Sequence, residues 1–305
     1  MPQFVLRRLL VAIPTLLLVV TVAFFMMRAA PGNPFEGARK LPPQIEANIM
    51  AKYGMNRPLG EQYLTYLGGV ARGDFGPSLK YQDKSVVDII RQSAPTSFEI
   101  GLWSLVIASI LGVTLGVLAA LRQNEPADFA VMALAILGVC IPTFVTGPLL
   151  LQLFASKLGW VPTGGLNGAR SLILPVIVMA LPQIAIISRL TRAGMIEALR
   201  SNYVRTARAK GLPESAIVIH HALRAGILPL VSYLGPATAG LITGSLVVEK
   251  VFNLPGLGQK FVISALQRDY TVVMGVVILY ATLIIVLNLL ADLVYALLDP
   301  RVRLA

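Results

Sequence analysis

Six long apolar runs without a charged side chain constrain this sequence more than any other feature. They cover residues 9–27, 100–121, 129–156, 171–188, 226–248 and 270–291. A helix needs about 20 apolar residues to cross roughly 30 Å of hydrocarbon. Leu, Val, Ile and Ala occupy every helical face of these runs, unlike the single stripe of an amphipathic surface helix. The sequence therefore predicts an all-α, polytopic membrane protein with six transmembrane helices.

The charges are few and unevenly placed. Charged residues make up 13% of the chain, against about 25% in soluble domains. A net charge of +11 raises the possibility of nucleic-acid binding, because basic chains neutralise phosphates. Here the charges lie between the apolar runs and form no single basic face. We therefore expect a lipid bilayer as the surroundings and no nucleic acid as a partner.

Arg and Lys near the ends of the runs predict the orientation. Arg7 and Arg8 precede the first run, Arg301 and Arg303 follow the last, and residues 191–225 carry six basic side chains. The short connections on the opposite side carry fewer. Because short cytoplasmic loops are enriched in Arg and Lys, both termini are expected in the cytoplasm. The first run has 19 residues, too long for a signal peptide core, so we expect an uncleaved span.

The first long connection, residues 28–98, is expected on the outer side of the membrane. The positions of its Pro and Gly residues predict short helices over residues 44–53 and 58–70. The apolar side of the second helix is predicted to carry Tyr63, Leu64, Tyr66 and Leu67. A compact external cap and a set of interfacial helices without a recognition role fit this pattern equally well.

The second long connection, residues 191–225, is expected in the cytoplasm. It begins with apolar residues at helical spacing, which form one stripe: Met195, Ile196, Leu199, Tyr203 and Ala207. Gly211 suits the end of that helix, and Pro213 suits the start of another over residues 213–223. A helix–Gly–helix elbow of this kind can enter a groove on another protein. It can equally be a linker whose Arg residues only fix the topology.

Seven segments form an ordered pattern along the chain: YVRTARAKGL (203–212), HHALRAGILP (220–229), APGNP (30–34), NRPLGEQYLTYL (56–67), GDFGPS (73–78), GSLVVEKVFNLPGLG (244–258) and DPRVR (299–303). Together they resemble the permease subunits of ABC importers, in particular those of the peptide and nickel branch. Within the branch, FFMMRAAPGNPF (24–35) and GDFGPSLKYQDKSVVDII (73–90) are most similar to the B-type subunits of oligopeptide importers. The resemblance runs along nearly the whole chain.

One departure from the family pattern concerns the coupling motif. The general motif of ABC permeases begins with Glu-Ala-Ala, where this chain has Arg205, Thr206 and Ala207. The resemblance therefore rests on the pattern of the branch, and no contact of the family's Glu is carried over.

The resemblance implies the type I ABC importer permease fold and a subunit that translocates oligopeptides across a bacterial cytoplasmic membrane. Dipeptides, nickel or another small solute of the same branch are the alternative cargo. The implied partners are a second, C-type permease subunit, two cytoplasmic ATPase subunits that use ATP and Mg, an external peptide-binding protein and the peptide. Three segments are expected: residues 1–27, residues 28–98, and a permease core over 99–305 that contains the coupling loop 191–225.

Within that loop the resemblance assigns the contact with the ATPase to nine residues: Arg205, Thr206, Ala207, Arg208, Ala209, Lys210, Gly211, Leu212 and Pro213. Gly211 would permit the bend. Ala207 and Ala209 would allow close approach. The cations Arg205, Arg208 and Lys210 would pair with acidic groups on the ATPase. No catalytic residue and no metal ligand is expected, and the residues that bind substrate are not assigned.

Other classes of function fit less well. The chain has no G-x-x-x-x-G-K-[ST] loop to bind ATP phosphates. An ion-coupled secondary transporter usually carries charges near the bilayer midplane, and the apolar runs have none. Asn288 and Asp292 lie on one face of the last run, and we expect a structural hydrogen bond there. For an intramembrane protease, Ser245 is too far along the chain from His220 and His221 to form a catalytic pair.

Prolines interrupt two of the apolar runs. Kinks are predicted at Pro142 and Pro148 in the third run, and at Pro175 and Pro182 in the fourth.

Overall fold

The computed structural model describes residues 2–29, 54, 56–81 and 83–298. In chain order its helices are α1 (Pro2–Ala29), α2 (Leu59–Ala71), α3 (Val86–Leu121), α4 (Pro126–Cys140), α5 (Thr143–Leu150), α6 (Ile173–Leu199), α7 (Asn202–Ala209), α8 (Glu214–Ala216), α9 (Leu223–Gly226), α10 (Leu228–Gly244), α11 (Leu246–Val251), α12 (Leu257–Leu266) and α13 (Tyr270–Leu298). The π-helix Leu151–Lys157 continues α5, the 3₁₀ helix Ala169–Leu172 precedes α6, and the π-helix Ile217–Ala222 joins α8 to α9.

The described part of the chain confirms the all-α prediction. Five unbroken stretches are long and apolar enough to cross a membrane: Leu10–Ala29, Val86–Leu121, Ala169–Leu199, Leu228–Val251 and Tyr270–Val294. The predicted third span is broken, because Pro126–Cys140 and Thr143–Lys157 are bent by 98° against each other. The predicted number of six spans is reached when this bent pair is counted as one.

The break falls at the first of the predicted kinks. Ile141 is extended, with φ −87° and ψ 114°, because the ring of Pro142 disfavours the helical conformation of the residue before it. The carbonyl of Pro142 then accepts hydrogen bonds from Val145 and Thr146 and starts α5. Pro148 lies inside α5.

The prolines of the fourth span do not interrupt the helix. Helix α6 continues through Pro182, and Pro175 lies in its first turn, where the missing N–H has no intrahelical partner to lose.

The chain forms two compact units. Of the residues that the structure describes, those within 1–96 and 255–285 form unit 1, and those within 97–254 and 286–305 form unit 2. The core of unit 1 is a buried aliphatic cluster of Val86, Ile89, Leu257, Val272 and Val276. Asp269 is buried beside it, where its carboxylate accepts hydrogen bonds from the Ser78 hydroxyl at 2.5 Å and the Leu79 N–H at 3.1 Å.

Helix α2 of unit 1 agrees with the predicted helix 58–70. It packs on α1: the hydroxyls of Tyr63 and Thr21 lie 2.8 Å apart, and the rings of Tyr63 and Phe24 meet edge to face at 5.4 Å. Leu64 points away from this contact and is 67% exposed, so it does not share the apolar side predicted for it. The predicted helix 44–53 lies outside the described residues.

Unit 2 contains most of the described spans. A cluster of buried residues, among them Ile100, Val178, Leu241 and Leu254, forms its core. Helices α4 and α6 pack closely beside it: a Cβ added at Gly138 would meet the Leu181 carbonyl oxygen at 3.2 Å and the Ala185 Cβ at 3.3 Å.

Candidate coupling site

The predicted elbow is present, and its bend is a well-defined helix end. We use the name elbow for residues 201–226, which comprise α7, α8, the π-helix and α9. After α7, Gly211 has φ +77°. The Gly211 N–H donates to the Arg208 carbonyl at 2.9 Å and the Leu212 N–H to the Ala207 carbonyl at 3.4 Å. This pair of bonds is a Schellman motif, and its left-handed residue is usually Gly because no Cβ opposes that conformation.

The inner side of the elbow is packed against the ends of two spans. Val204 and Ile217 are fully buried, and together with Ala207 they cluster with Met195 of α6 and Ala120 of α3. The exit of the elbow also touches α6, because a Cβ added at Gly194 would overlap the carbonyl oxygen of Gly226. The elbow is therefore fixed to unit 2 by close packing, as an element that transmits displacement has to be.

Eight of the nine predicted coupling residues are on the outer side of the elbow. Exposed are Arg205, Thr206, Arg208, Ala209, Lys210, Gly211, Leu212 and Pro213. Ala207 is the exception: it is 5% exposed and packs inside the elbow's own cluster. Its small side chain serves close packing within this chain, in agreement with its place on the predicted apolar stripe.

The predicted stripe across residues 195–207 is not one helix. Helix α6 ends at Leu199, and α7 begins at Asn202 after Ser201, whose backbone is extended. The interruption changes which face of α7 is buried. Val204 is buried in place of Tyr203, which is 46% exposed.

The cations of the elbow are not equivalent. The Arg208 guanidinium donates two hydrogen bonds to Glu214 across the bend, at 2.5 and 3.2 Å. This pairing holds the pKa of Glu214 below its usual value and raises the pKa of Arg208. Arg205 and Lys210 make no side-chain hydrogen bond or ion pair with other described residues. Their charges are available to an external partner close to the bend.

Two buried polar contacts of unit 2 were not found from the sequence. Asp128, on α4, forms an ion pair with Arg192 of α6. Glu249, on α11, accepts hydrogen bonds from Ser97 and Ser245. No local pattern pairs Asp128 with Arg192 or Ser97 with Glu249, although a lone acid beside an apolar run is a recognisable signal. The charge-free run ends at Val248, just before Glu249, whereas the helix continues to Val251.

The residues considered for other functions have structural surroundings. The Ser245 hydroxyl donates to Glu249 at 2.5 Å and lies 3.2 Å from the Ile242 carbonyl oxygen. His220 and His221 belong to the π-helix of the elbow. The side-chain oxygen of Asn288 is buried without a hydrogen-bond partner, so the structural hydrogen bond expected there is not formed by this atom.

Comparison with known families identifies the chain's relatives. The family described as "Binding-protein-dependent transport system inner membrane component" matches residues 112–304, and the N-terminal part of such membrane components matches residues 1–100. The chain belongs to this family. Its members are membrane proteins, in agreement with the apolar spans described above.

Individual members of the family are similar over the full length. The oligopeptide transport system permease protein OppB of Escherichia coli (strain K12) is 52% identical over 305 residues, which cover 99% of this chain and 100% of that protein. OppB of Haemophilus influenzae is 50% identical with the same coverage. The dipeptide transport system permease protein DppB of Bacillus subtilis is 42% identical, covering 100% of this chain and 99% of that protein.

Solved structures support the fold of the family. A structure of the MetNI methionine ABC transporter in an inward-facing conformation matches with a TM-score of 0.60 at 17% identity, covering 70% of this chain and 97% of that one. An amino acid ABC transporter matches with a TM-score of 0.52 at 16% identity, covering 70% and 94%. The predicted type I ABC importer permease fold is confirmed.

Proposed function

We propose that this chain is the permease subunit through which an ABC importer moves oligopeptides across the cytoplasmic membrane of a bacterium. The observation that carries the proposal is the elbow. Its outer side is exposed around Gly211, while its inner side is buried against α3 and α6. The similarity of the whole chain to OppB permeases supports oligopeptides as the cargo.

The proposed orientation places the elbow and both termini in the cytoplasm. The six basic residues within 191–225 and the Arg pairs near the termini support this orientation. The partners are a C-type permease subunit, two ATPase subunits and an external peptide-binding protein. ATP and Mg would be bound by the ATPase subunits, since this chain has no phosphate-binding loop.

The elbow would couple ATP hydrolysis to the spans by direct contact. When the ATPase pair closes, it displaces the bend around Gly211 and the exposed cations Arg205 and Lys210. Because Val204 and Ile217 are packed against the ends of α3 and α6, these helices have to follow. Packed interfaces of this kind move between discrete arrangements rather than deform continuously.

Dipeptides are the second candidate cargo. The 42% identity to the DppB permease of Bacillus subtilis over the full length supports this reading. Uptake measured with di-, tri- and pentapeptides would separate the two candidates. The peptide-binding protein has to be supplied with each peptide, because it delivers the cargo.

The proposal is tested with the whole importer, reconstituted into liposomes from this chain, the second permease subunit and the ATPase subunits. Uptake of a radiolabelled pentapeptide is expected only when the binding protein and ATP are both present. Liposomes with this chain alone, under a proton or sodium gradient, are the control. Peptide uptake driven by the gradient alone would contradict the proposal and favour a secondary transporter.

A further inference from the structure

The ion pair of Asp128 and Arg192 joins the broken span to the helix that carries the elbow. The Arg192 Nε donates to Asp128 Oδ1 at 2.6 Å, and its Nη2 donates to Asp128 Oδ2 at 2.7 Å. Asp128 is only 1% exposed, and its Oδ2 also accepts the Asn124 N–H at 2.9 Å. A two-point contact between planar groups fixes both the distance and the mutual rotation of the two helices.

The position of Asp128 at the start of α4 favours its negative charge. Asp128 lies in the first turn of α4, two residues after Pro126, where the unpaired N–H groups of the helix favour a negative charge. Arg192 lies in α6 two turns before that helix ends at Leu199. Beyond α6, the Arg200 guanidinium donates to the Gln123 side chain at 3.1 Å. The connection before α4 is therefore tied to the end of α6 at two places.

Helices α4 and α6 also touch at a second level, about three turns away. There Gly138 of α4 packs on Leu181 and Ala185 of α6. Asp128 and Gly138 are ten residues apart, or about 15 Å along a helix. Two contacts separated by this distance prevent α4 from tilting on α6. Beyond these contacts, the helix ends at the break of Ile141 and Pro142, where the direction of the chain changes by 98°.

Stability alone does not account for an ion pair at this place. Replacing a buried ion pair by apolar residues of similar volume is often neutral or stabilising, because desolvation costs as much as the attraction contributes. What an apolar pair lacks is the directional, two-point geometry. The pair is thus suited to fix the position of α4 relative to α6.

We propose that Asp128 and Arg192 are positioning residues that make α4 move together with α6 and the elbow. A displacement of the elbow then reaches the break in the third span as a rotation of α4, and the break is where the span changes shape. This inference rests on the proposed coupling role of the elbow. In this proposal, the ion pair transmits the movement of the elbow to the broken third span.

The first experiment measures ATP hydrolysed per peptide imported by the reconstituted importer. In Asp128→Asn and Arg192→Gln, this ratio is expected to rise about tenfold, which lies within the usual range of coupling between two sites. The complex is expected to remain assembled. The exposed Glu125→Gln and Arg189→Gln, on the same two segments, are the matched controls and should leave the ratio unchanged.

A merely structural ion pair would give a different result. The single variants would then reduce the yield of assembled importer, while each assembled complex kept the normal ratio, and the proposal would be overturned. A further variant, Asp128→Leu with Arg192→Met, removes the buried carboxylate together with its half-buried partner. This apolar pair is expected to assemble and to be uncoupled. Normal coupling in this variant would also overturn the proposal.

The second experiment does not depend on peptide transport. The chain has one cysteine, Cys140, which is exposed at the end of α4, and Ser215→Cys adds a label on the exposed part of the elbow. The distance between spin labels on these two positions is expected to be the same in nucleotide-free and nucleotide-trapped importer, and to broaden in Asp128→Asn. A change of this distance in the otherwise unaltered chain would overturn the inference. A failure of peptide uptake alone would count only against the proposed function.

Discussion

The Ser97 hydroxyl donates a hydrogen bond of 2.6 Å to Oε1 of Glu249. The Ser245 hydroxyl donates to the same oxygen at 2.5 Å, and all three side chains are fully buried. One carboxylate thus joins the part of α3 that begins unit 2 to the junction between α10 and α11. Buried polar networks of this kind stabilise the fold only when every member has its partner.

Removal of the shared acceptor should destabilise unit 2. In Glu249→Ala, both serine hydroxyls lose their hydrogen bond to the shared oxygen, at a cost of about 1 kcal/mol for each hydrogen bond. Glu249→Gln keeps an acceptor oxygen in nearly the same place, so we expect a smaller loss. The midpoint of thermal unfolding of the detergent-purified protein measures both, with the exposed Lys250→Gln as the control. Equal losses in the Ala and Gln variants would contradict the role of a shared acceptor.

The exposed cations of the elbow should differ in their effect on the ATPase. Arg205→Gln and Lys210→Gln remove charges that have no partner among the described residues, so the affinity for the ATPase subunits is expected to fall and to depend less on salt. Arg208→Gln is the matched control, since its charge is already paired with Glu214. Binding of the ATPase subunits at several salt concentrations measures the difference. An effect of Arg208→Gln as large as that of the other two would refute this distinction.

The contact between Gly194 and Gly226 allows a direct test of the packing of the elbow. A methyl group at Gly194 would overlap the Gly226 carbonyl, so Gly194→Ala should lower the stability by about 1 to 3 kcal/mol, as overpacking does. Gly240→Ala is the matched control, because a Cβ at Gly240 would meet nothing within 4 Å. It should be neutral or stabilising, since Ala favours helix. Thermal unfolding of the two variants gives the comparison, and equal midpoints would show that the elbow is not packed in this way.

The sequence predicts the spans and the bend of the elbow because both depend on local properties. Apolar runs indicate spans directly, and Gly211 followed by Pro213 indicates a helix end and a new start. The full length of α6 is not predicted in this way, because Arg189 and Arg192 end the charge-free run while the helix continues to Leu199. A helix that leaves the apolar region changes composition without changing conformation.

The contacts that hold the site together depend on residues far apart in sequence. Asp128 and Arg192 are separated by 64 positions, and Ser97 and Glu249 by 152. No local pattern links these partners, and each looks like an ordinary charged or polar residue at the end of a run. The exposure of Tyr203 differs from the predicted stripe for a related reason, because the helix break before α7 turns Val204 inward in its place.

The central claim is that the elbow couples ATP hydrolysis to transport, and Gly211 tests it most directly. Gly211 has φ +77°, and a Cβ there would meet no atom within 4 Å, so only the backbone conformation opposes a side chain. Asn tolerates this conformation, whereas a β-branched Val does not, at a cost of roughly 1 to 2 kcal/mol.

The decisive measurement is the number of ATP molecules hydrolysed per peptide imported by the reconstituted importer with Gly211→Val and with Gly211→Asn. We expect Gly211→Val to insert and assemble but to hydrolyse ATP without importing peptide, and Gly211→Asn to retain most of the uptake. Normal uptake at the normal ratio in an assembled Gly211→Val importer would contradict the account.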